Sequence, residues 1–361
     1  MATSSVEASQ VVTPAGVVGP ARVVIEDGLI ASIDSISTAP ERTLVPGFVD
    51  LQVNGIDDVD VATADGDDWD RLDALLAAQG TTTWCPTLVS APLDSYRGPL
   101  ARIGAAAARA DGGRPQIAGA HLEGPFLGGA PGAHDPALIA PVDRAWLADL
   151  APVVRLVTLA PEADGATAAI GDLADRGVLV SLGHSTATYE EATAAIDAGA
   201  RLVTHLFNAM APLHHRQPGL VGAALTDDRV AVALIADKVH VHPAALRLAF
   251  RAKGADGVVL VTDAVALRAG IRVVDGAPRL ADGTLAGSVL TMDAAVRNAV
   301  AAGVDPADAV RAASTTPARL LGLTDRGAIA SGMRADLVAL LPGLEVGTVW
   351  IAGQEAAGPS G

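Results

Sequence analysis

The chain changes its hydrophobic period twice. From about Val6 to Leu44 the apolar positions fall in short β-prone runs, Val11-Val12, Val17-Val18, Arg22 to Ile25 and Leu29 to Ile33, with Asp27-Gly28 as a hairpin turn before the last. The tail from about Gly327 has the same character, with Ala335 to Leu341 and Thr348 to Ala352 apolar and β-prone. Neither end can bury a core alone, so the two are expected to pair into one small β-sandwich, residues 1–46 with 327–361. Between them, over 47–326, short β-branched runs alternate with Ala/Leu-rich stretches at helical spacing, the pattern of repeated βα units.

Eight strands are expected in that central part: Val45–Val53, Thr81–Leu88, Gln116–Leu122, Val153–Leu159, Val178–Leu182, Arg201–Leu206, Val230–Ala236 and Gly257–Val261. Helices are expected at Asp67–Ala78, Thr188–Ala198 and Pro243–Lys253, with a further pair, Met292–Ala302 and Pro306–Ala313, after the eighth strand. Eight strands in this order predict an α/β fold, a (β/α)₈ barrel of the TIM type, over a doubly wound sheet.

Several polar residues interrupt this pattern at one kind of place. Glu123 ends the third strand, His184 follows the fifth, His205 the sixth and Asp263 the eighth. A lone histidine after a strand is more often a hydrogen-bonded turn or core residue. In a barrel, however, all strand C-termini share one face, where such enzymes build their sites. Two imidazoles and a carboxylate meeting there are three ligands with an open position, the form of a catalytic metal site, and Asp263 would stand beside it as proton acceptor. Loops on that face add His134 in a Gly/Pro-rich stretch, Asn208, the run His214-His215-Arg216, and Asp237 with His240.

Composition narrows the chemistry. With 25 Lys+Arg against 41 Asp+Glu, a net charge of −16 and 3% aromatic residues, a nucleic-acid groove is excluded, since that needs basic stripes and stacking rings. An anionic substrate would need a local positive patch, for which His214 to Arg216 is the densest run. The single cysteine, Cys85, excludes an internal disulfide framework, suits a reducing cytoplasm and reads as a small buried hydrophobe. No secretory signal stands at the start, and the stretch from Ala74 to Leu93 is too polar and broken to span a membrane.

The segments LVPGFVDLQVNG, HLEGPFL, GHSTAT, THLFNAM, ADKVHVHP, LVTDA, LAGSVLTM and GMRADLVAL occur in an order that resembles the N-acetylglucosamine-6-phosphate deacetylases, members of the amidohydrolase superfamily. The resemblance runs from about Leu44 to the C-terminal end. It implies that Glu123, His184 and His205 hold one divalent metal per subunit, zinc first, with iron, cobalt or manganese suiting the same ligands. It implies Asp263 as the catalytic carboxylate and His134 on the substrate acetamide. Ala133, Asn208 and Ala209 would bind substrate, Asp237 and His240 would face the sugar, and Leu285, Ala286 and Gly287 would line the pocket. Arg216 would reach the phosphate of a substrate in the neighbouring subunit of a homodimer.

Departures from the superfamily pattern are informative. Gln52 and Asn54 stand where two-metal relatives carry His-x-His, and Thr158-Leu159-Ala160-Pro161 offers no bridging lysine. Neutral amides are poor zinc ligands, so one metal is expected, with the two amides beside the position of an absent second one. Lys238 stands where the family commonly has glycine, which implies an altered backbone there and an added positive charge near the sugar pocket. The expected reaction is hydrolysis of N-acetyl-D-glucosamine 6-phosphate to acetate and D-glucosamine 6-phosphate. The alternatives are N-acetylgalactosamine 6-phosphate, an unphosphorylated N-acetyl sugar, a two-metal cyclic-amide hydrolase, and a barrel that has lost catalysis.

Overall fold

The computed structural model describes residues 3–110, 112–268 and 270–356. Its centre is a ring of eight parallel strands: β1 (Phe48–Val53), β2 (Thr81–Leu88), β3 (Ala120–Glu123), β4 (Val154–Leu159), β5 (Leu179–Leu182), β6 (Leu202–Val203), β7 (Ala231–Ile235) and β8 (Val258–Val261). Each pairs with the next in register from β1 to β8. The strands are short, Val/Leu-rich and buried on both faces, as a parallel sheet covered by helices requires. The helices form where their periodicity and caps predict. Tyr189–Ala198, for example, opens on a capping box in which Thr188 accepts from the Glu191 N–H and the Glu191 side chain accepts from the Thr188 N–H. Among the described residues no helix is long and apolar enough to cross a membrane.

Two of the expected strands break. The run Val45–Val53 divides at Gly47: Thr43–Pro46 leaves the barrel to pair with Leu337–Leu340 and Gln10–Thr13, and only Phe48 onward joins β2. A side chain at Gly47 would lie 2.1 Å from Thr82 Oγ1, so glycine is what lets the chain pass from one sheet to the other. The third run divides likewise. Gln116–Ile117 pairs with β2 ahead of β3, and Gly119 between the two segments takes φ +150° with its missing Cβ against Arg155.

Both chain ends build the smaller unit. A three-stranded sheet (Thr3–Ala8, Ala21–Glu26, Leu29–Ser35) and a six-stranded sheet holding Gln10–Thr13, Thr43–Pro46, Leu337–Leu340 and Val346–Ile351 share a buried core. Val6, Val23, Ile25 and Ile30 from the first sheet meet Val11, Leu44 and Leu337 from the second.

The barrel interior carries an unusual amount of polar matter. His121 and Glu123 are two apart on β3 and so share a face. Below Glu123, His121 Nε2 lies 2.8 Å from Thr158 Oγ1, which is 2.7 Å from Thr204 Oγ1, itself 2.5 Å from Ser181 Oγ. Burial holds the His121 pKa down to about 4, so the ring is neutral. Between β8 and β1 the ring closes with few ladder bonds: Val53 bridges Ala264, and the Asp263 N–H donates to Gln52 O at 3.0 Å. Asp50 completes this seam, its carboxylate accepting from the Thr262 hydroxyl (2.6 Å) and from the N–H groups of Gln52 and Thr262.

The turn after β7 absorbs a substitution cost. Lys238 is exposed and takes φ +70°, a left-handed conformation that favours glycine. Lys238 itself does not line the cavity described below, whereas His240, two residues on, does.

Two outcomes follow. Burial raises the Asp50 pKa to about 7 against the opposing pull of its hydrogen bonds. The unfolded chain releases this proton near pH 4 and the folded chain only near 7, so stability contributed by the protonated form falls as pH rises through that window. Relative to the parent, Asp50→Asn therefore gains stability from pH 5 to pH 8, on the order of a few kcal/mol. Denaturant unfolding at the two pH values measures this, and a pH-independent difference would refute it. At the β7 turn, Lys238→Gly raises stability by roughly 0.5–1 kcal/mol, the relief of strain exceeding the added chain entropy. A lower unfolding midpoint for this variant would contradict the strain argument.

Candidate metal centre

The C-terminal ends of the strands open into a cavity of about 680 Å³, lined among others by Asn54, Glu123, His134, His184, His205 and Asp263. That volume suits a small-molecule ligand. Glu123 enters from β3. His184, His205 and Asp263 stand just past β5, β6 and β8 with φ of +51°, +28° and +50°. Left-handed backbone at non-glycine residues costs on the order of 1–3 kcal/mol each and gathers at functional sites. Here it turns three side chains inward from the ends of β5, β6 and β8.

Their functional atoms meet at one point. Glu123 Oε1 lies 3.1 Å from His184 Nε2 and 3.0 Å from His205 Nε2, and the two Nε2 atoms are 3.1 Å apart. The proton on His184 is fixed from the other side, because Nδ1 lies 3.0 Å from the Pro131 carbonyl, which can only accept. With the Nδ1 proton so placed, His184 Nε2 faces a carboxylate oxygen and a second imidazole nitrogen, an arrangement that calls for positive charge among the three, either a metal ion or a proton on an imidazole. Ligands held about 2.1 Å from one ion at angles near 90–110° lie roughly 3.0–3.4 Å apart, so the set fits a divalent metal. Glu123, His134 and His184 likewise bring their ligand atoms within 4.8 Å of one another, with His134 Nε2 3.8 Å from Glu123 Oε2. On the outer side of His205, Nδ1 is buried and has no partner among the described residues.

Charge is arranged to match. Burial alone would raise the pKa of Glu123, but hydrogen bonds and charge from His184 and His205 hold it well below the usual carboxylate range. Asp263 is pushed the other way, up to about 8, by burial and then by the charge of Glu123. The two carboxylates are linked by one amide: Gln52 Nε2 donates to Glu123 Oε1 (2.9 Å) and to Asp263 Oδ1 (3.0 Å). Asn54 Nδ2 adds a 2.8 Å bond to the same Asp263 oxygen. The amides at the first strand thus hold the carboxylates directly, a role that their spacing alone did not disclose.

His134 carries a second fixed proton position. The Ser90 N–H donates to its Nδ1 (3.3 Å), and Ser90 Oγ lies 2.8 Å from the same atom. Nδ1 is therefore the acceptor, and burial lowers the ring pKa to about 4, leaving a neutral imidazole with its proton on Nε2. Ser90, just past β2, escaped the sequence reading, since a serine after a strand is an ordinary turn residue. Glu162 escaped it too: its carboxylate accepts from Gly129 N–H, Ser185 Oγ and Thr186 N–H, tying the turn after β4 to the His134 loop and to the turn holding His184.

The remaining predicted residues divide. Ala133, Asn208, Ala209, His240, Leu285, Ala286 and Gly287 line the cavity. Asp237 is held back from it, gripping His240: its carboxylate lies 2.7 Å from His240 Nδ1 and accepts from the Val239 and His240 N–H groups. Burial works against its ionisation, yet these bonds win and keep its pKa low. Arg216 lies on an exposed loop outside its own chain's cavity, with Nη1 3.0 Å from His215 Nε2. One cavity wall had no counterpart in the sequence reading: a hairpin, Arg272–Val274 with Ala277–Arg279, turned by Asp275-Gly276. Asp-Gly directly after the β-branched pair Val273-Val274 was the available signal.

Comparison with known proteins agrees with this geometry. Residues 43–356 match the amidohydrolase family. The chain is 41% identical to an N-acetylgalactosamine-6-phosphate deacetylase of Escherichia coli O157:H7 over 98% of this chain and 99% of that one. It is 41% identical to the human N-acetylglucosamine-6-phosphate deacetylase, covering 87% and 83% of the two chains. Among solved structures, the N-acetylglucosamine-6-phosphate deacetylase of Thermotoga maritima superposes with a TM-score of 0.91 at 34% identity, covering 98% of this chain and 99% of that one. A mutant of the Mycobacterium smegmatis enzyme in complex with N-acetyl-D-glucosamine-6-phosphate superposes at 0.90, with 37% identity and coverage of 98% and 99%. The chain belongs to the amidohydrolase family and, within it, to the N-acetylglucosamine-6-phosphate deacetylases.

Proposed function

We infer that this protein hydrolyses the acetamide of N-acetyl-D-glucosamine 6-phosphate, giving acetate and D-glucosamine 6-phosphate. The observation that carries the chemistry is the meeting of Glu123, His184 and His205 within 3.1 Å beside Asp263 and the Nε2–H of His134. Glu123, His184 and His205 would hold one divalent ion, zinc in our reading. When bound, such an ion supplies Lewis-acid polarisation and acidifies water at neutral pH.

The protein's own groups do the rest. Asp263 is placed to take a proton from the water that adds to the acetyl carbon. The Nε2–H of His134, fixed by Ser90, is a preorganised donor for the carbonyl oxygen as negative charge develops on it, the kind of contribution that often carries most of the rate. Asp263 then returns its proton to the nitrogen as the C–N bond breaks, so that an amine and not an amide anion departs. Gln52 and Asn54 hold Asp263 at the position both transfers need.

We assign Ala133, Asn208 and Ala209 to substrate contacts, His240 with Asp237 behind it to the sugar, and the backbone of Leu285 to Gly287 to the wall. Arg216 would act across the interface of a homodimer. We take residues 47–326 as the catalytic unit, flanked by 1–46 and 327–361, in a cytoplasmic enzyme. A second reading, the galacto epimer, is favoured by the 41% identity to the E. coli enzyme over nearly its whole length.

Acetate release from N-acetylglucosamine 6-phosphate, its galacto epimer and the unphosphorylated sugar tests this, with metal counted per chain. Fast release from the gluco phosphate at about one metal per chain is expected. Asp263→Asn should lower kcat by at least about 10³-fold while keeping the metal. Release from none of the three by metal-loaded protein would refute the function, and faster release from the galacto epimer would transfer it to the second reading.

A further inference from the structure

The hairpin over the cavity is bound into the barrel wall. Val265 N–H donates to Ser288 O (3.1 Å), Ser288 N–H to Asp263 O (2.8 Å) and Ala286 N–H to Pro278 O (3.0 Å), and Arg279 bridges Leu285. Backbone that carries the catalytic carboxylate is thus continuous, through two hydrogen-bonded steps, with backbone that carries Arg279.

Among the described cavity-lining residues the arginines are Arg268 and Arg279, and lysine is absent. They differ in how their charge is used. Arg268 is exposed and ion-paired to Asp60. Arg279 is half-buried; its Nη1 donates to Gly283 O at 2.8 Å, and no carboxylate among the described residues pairs with it. A guanidinium whose remaining N–H groups are uncommitted, on the wall of a cavity whose acidic lining residues are Glu123, Asp263, Asp60 and Asp135, is matched to an anion. In a chain of net charge −16, a dianionic ligand enters only where such a local cation offsets the field.

We propose that Arg279 binds the phosphate of the substrate from within the same chain, so that the hairpin determines selectivity for phosphorylated sugars. This rests on the deacetylase reading above and adds to it a residue in cis, where Arg216 would come from a second subunit. Phosphate bound at the hairpin would also be registered against Asp263 through the backbone ties just described.

The test compares N-acetylglucosamine 6-phosphate with N-acetylglucosamine on full-length, metal-loaded protein. Arg279→Met is expected to raise KM for the phosphorylated sugar by roughly 10- to 100-fold relative to that for the neutral one, as loss of a charged hydrogen-bonded contact predicts. Arg279→Lys should recover part of that ratio, and the Met variant should show a weaker dependence of kcat/KM on salt. An equal rise in KM for both sugars would mean a structural role for the hairpin and overturn the proposal, as would an unchanged ratio. If the parent protein hydrolyses the gluco phosphate selectively and Arg279→Met keeps that selectivity, only this proposal fails. If the parent releases acetate from neither sugar, the deacetylase reading fails with it.

Discussion

One amide nitrogen holds the chemistry of this protein together. Gln52 Nε2 donates to Glu123 and to Asp263 at once, 2.9 and 3.0 Å away, and all three side chains are buried. Two buried carboxylates repel each other, and a neutral double donor is the least charged group that can fix their separation. A histidine at the same place would compete for the metal. An amide leaves Glu123 free to serve one ion with His184 and His205, and leaves Asp263 free to exchange a proton. In the proposed mechanism the departure from His-x-His is a change of role, from binding a second metal to orienting the two carboxylates.

The barrel makes that contact possible by spending backbone strain at its rim. His184, His205 and Asp263 all leave their strands in left-handed conformations, which turn side chains from the ends of β5, β6 and β8 into one cavity. Such strain persists only if the surroundings over-determine it. Below the site, His121, Thr158, Thr204 and Ser181 form a satisfied polar layer across the barrel, and above it Glu162 ties three loops together. The seam between β8 and β1, with few ladder bonds of its own, is stitched by Asp50 directly beneath Gln52 and Asp263.

Much of this was legible in the sequence because it follows from period and position. Strand periodicity placed the eight βα units, and a charged or imidazole group directly after an apolar strand placed Glu123, His184, His205 and Asp263. What was not legible depends on contacts that no local pattern encodes. The break at Gly47 is set by Thr82, thirty-odd residues away in the chain. The proton on His134 is set by Ser90, and the function of Gln52 by residues on β3 and past β8. Lys238 shows the converse: the sequence flagged the residue, and the backbone discloses the left-handed conformation it has to adopt.

The site then divides by how its parts are held. Everything that touches the acetamide sits on strand ends or on loops clamped to them, where a displacement of an ångström would cost rate. The groups we assign to the rest of the sugar come from the turn after β7, from an exposed loop carrying Arg216, and from the Asp275-Gly276 hairpin. These segments can change in sequence and length without disturbing Gln52 or the carboxylates it joins. Conversely, the backbone ties from Ser288 to Asp263 couple the hairpin to the catalytic carboxylate. An anion held by the hairpin can thus favour the geometry in which Asp263 works, using binding energy from a remote substrate group at the reacting bond.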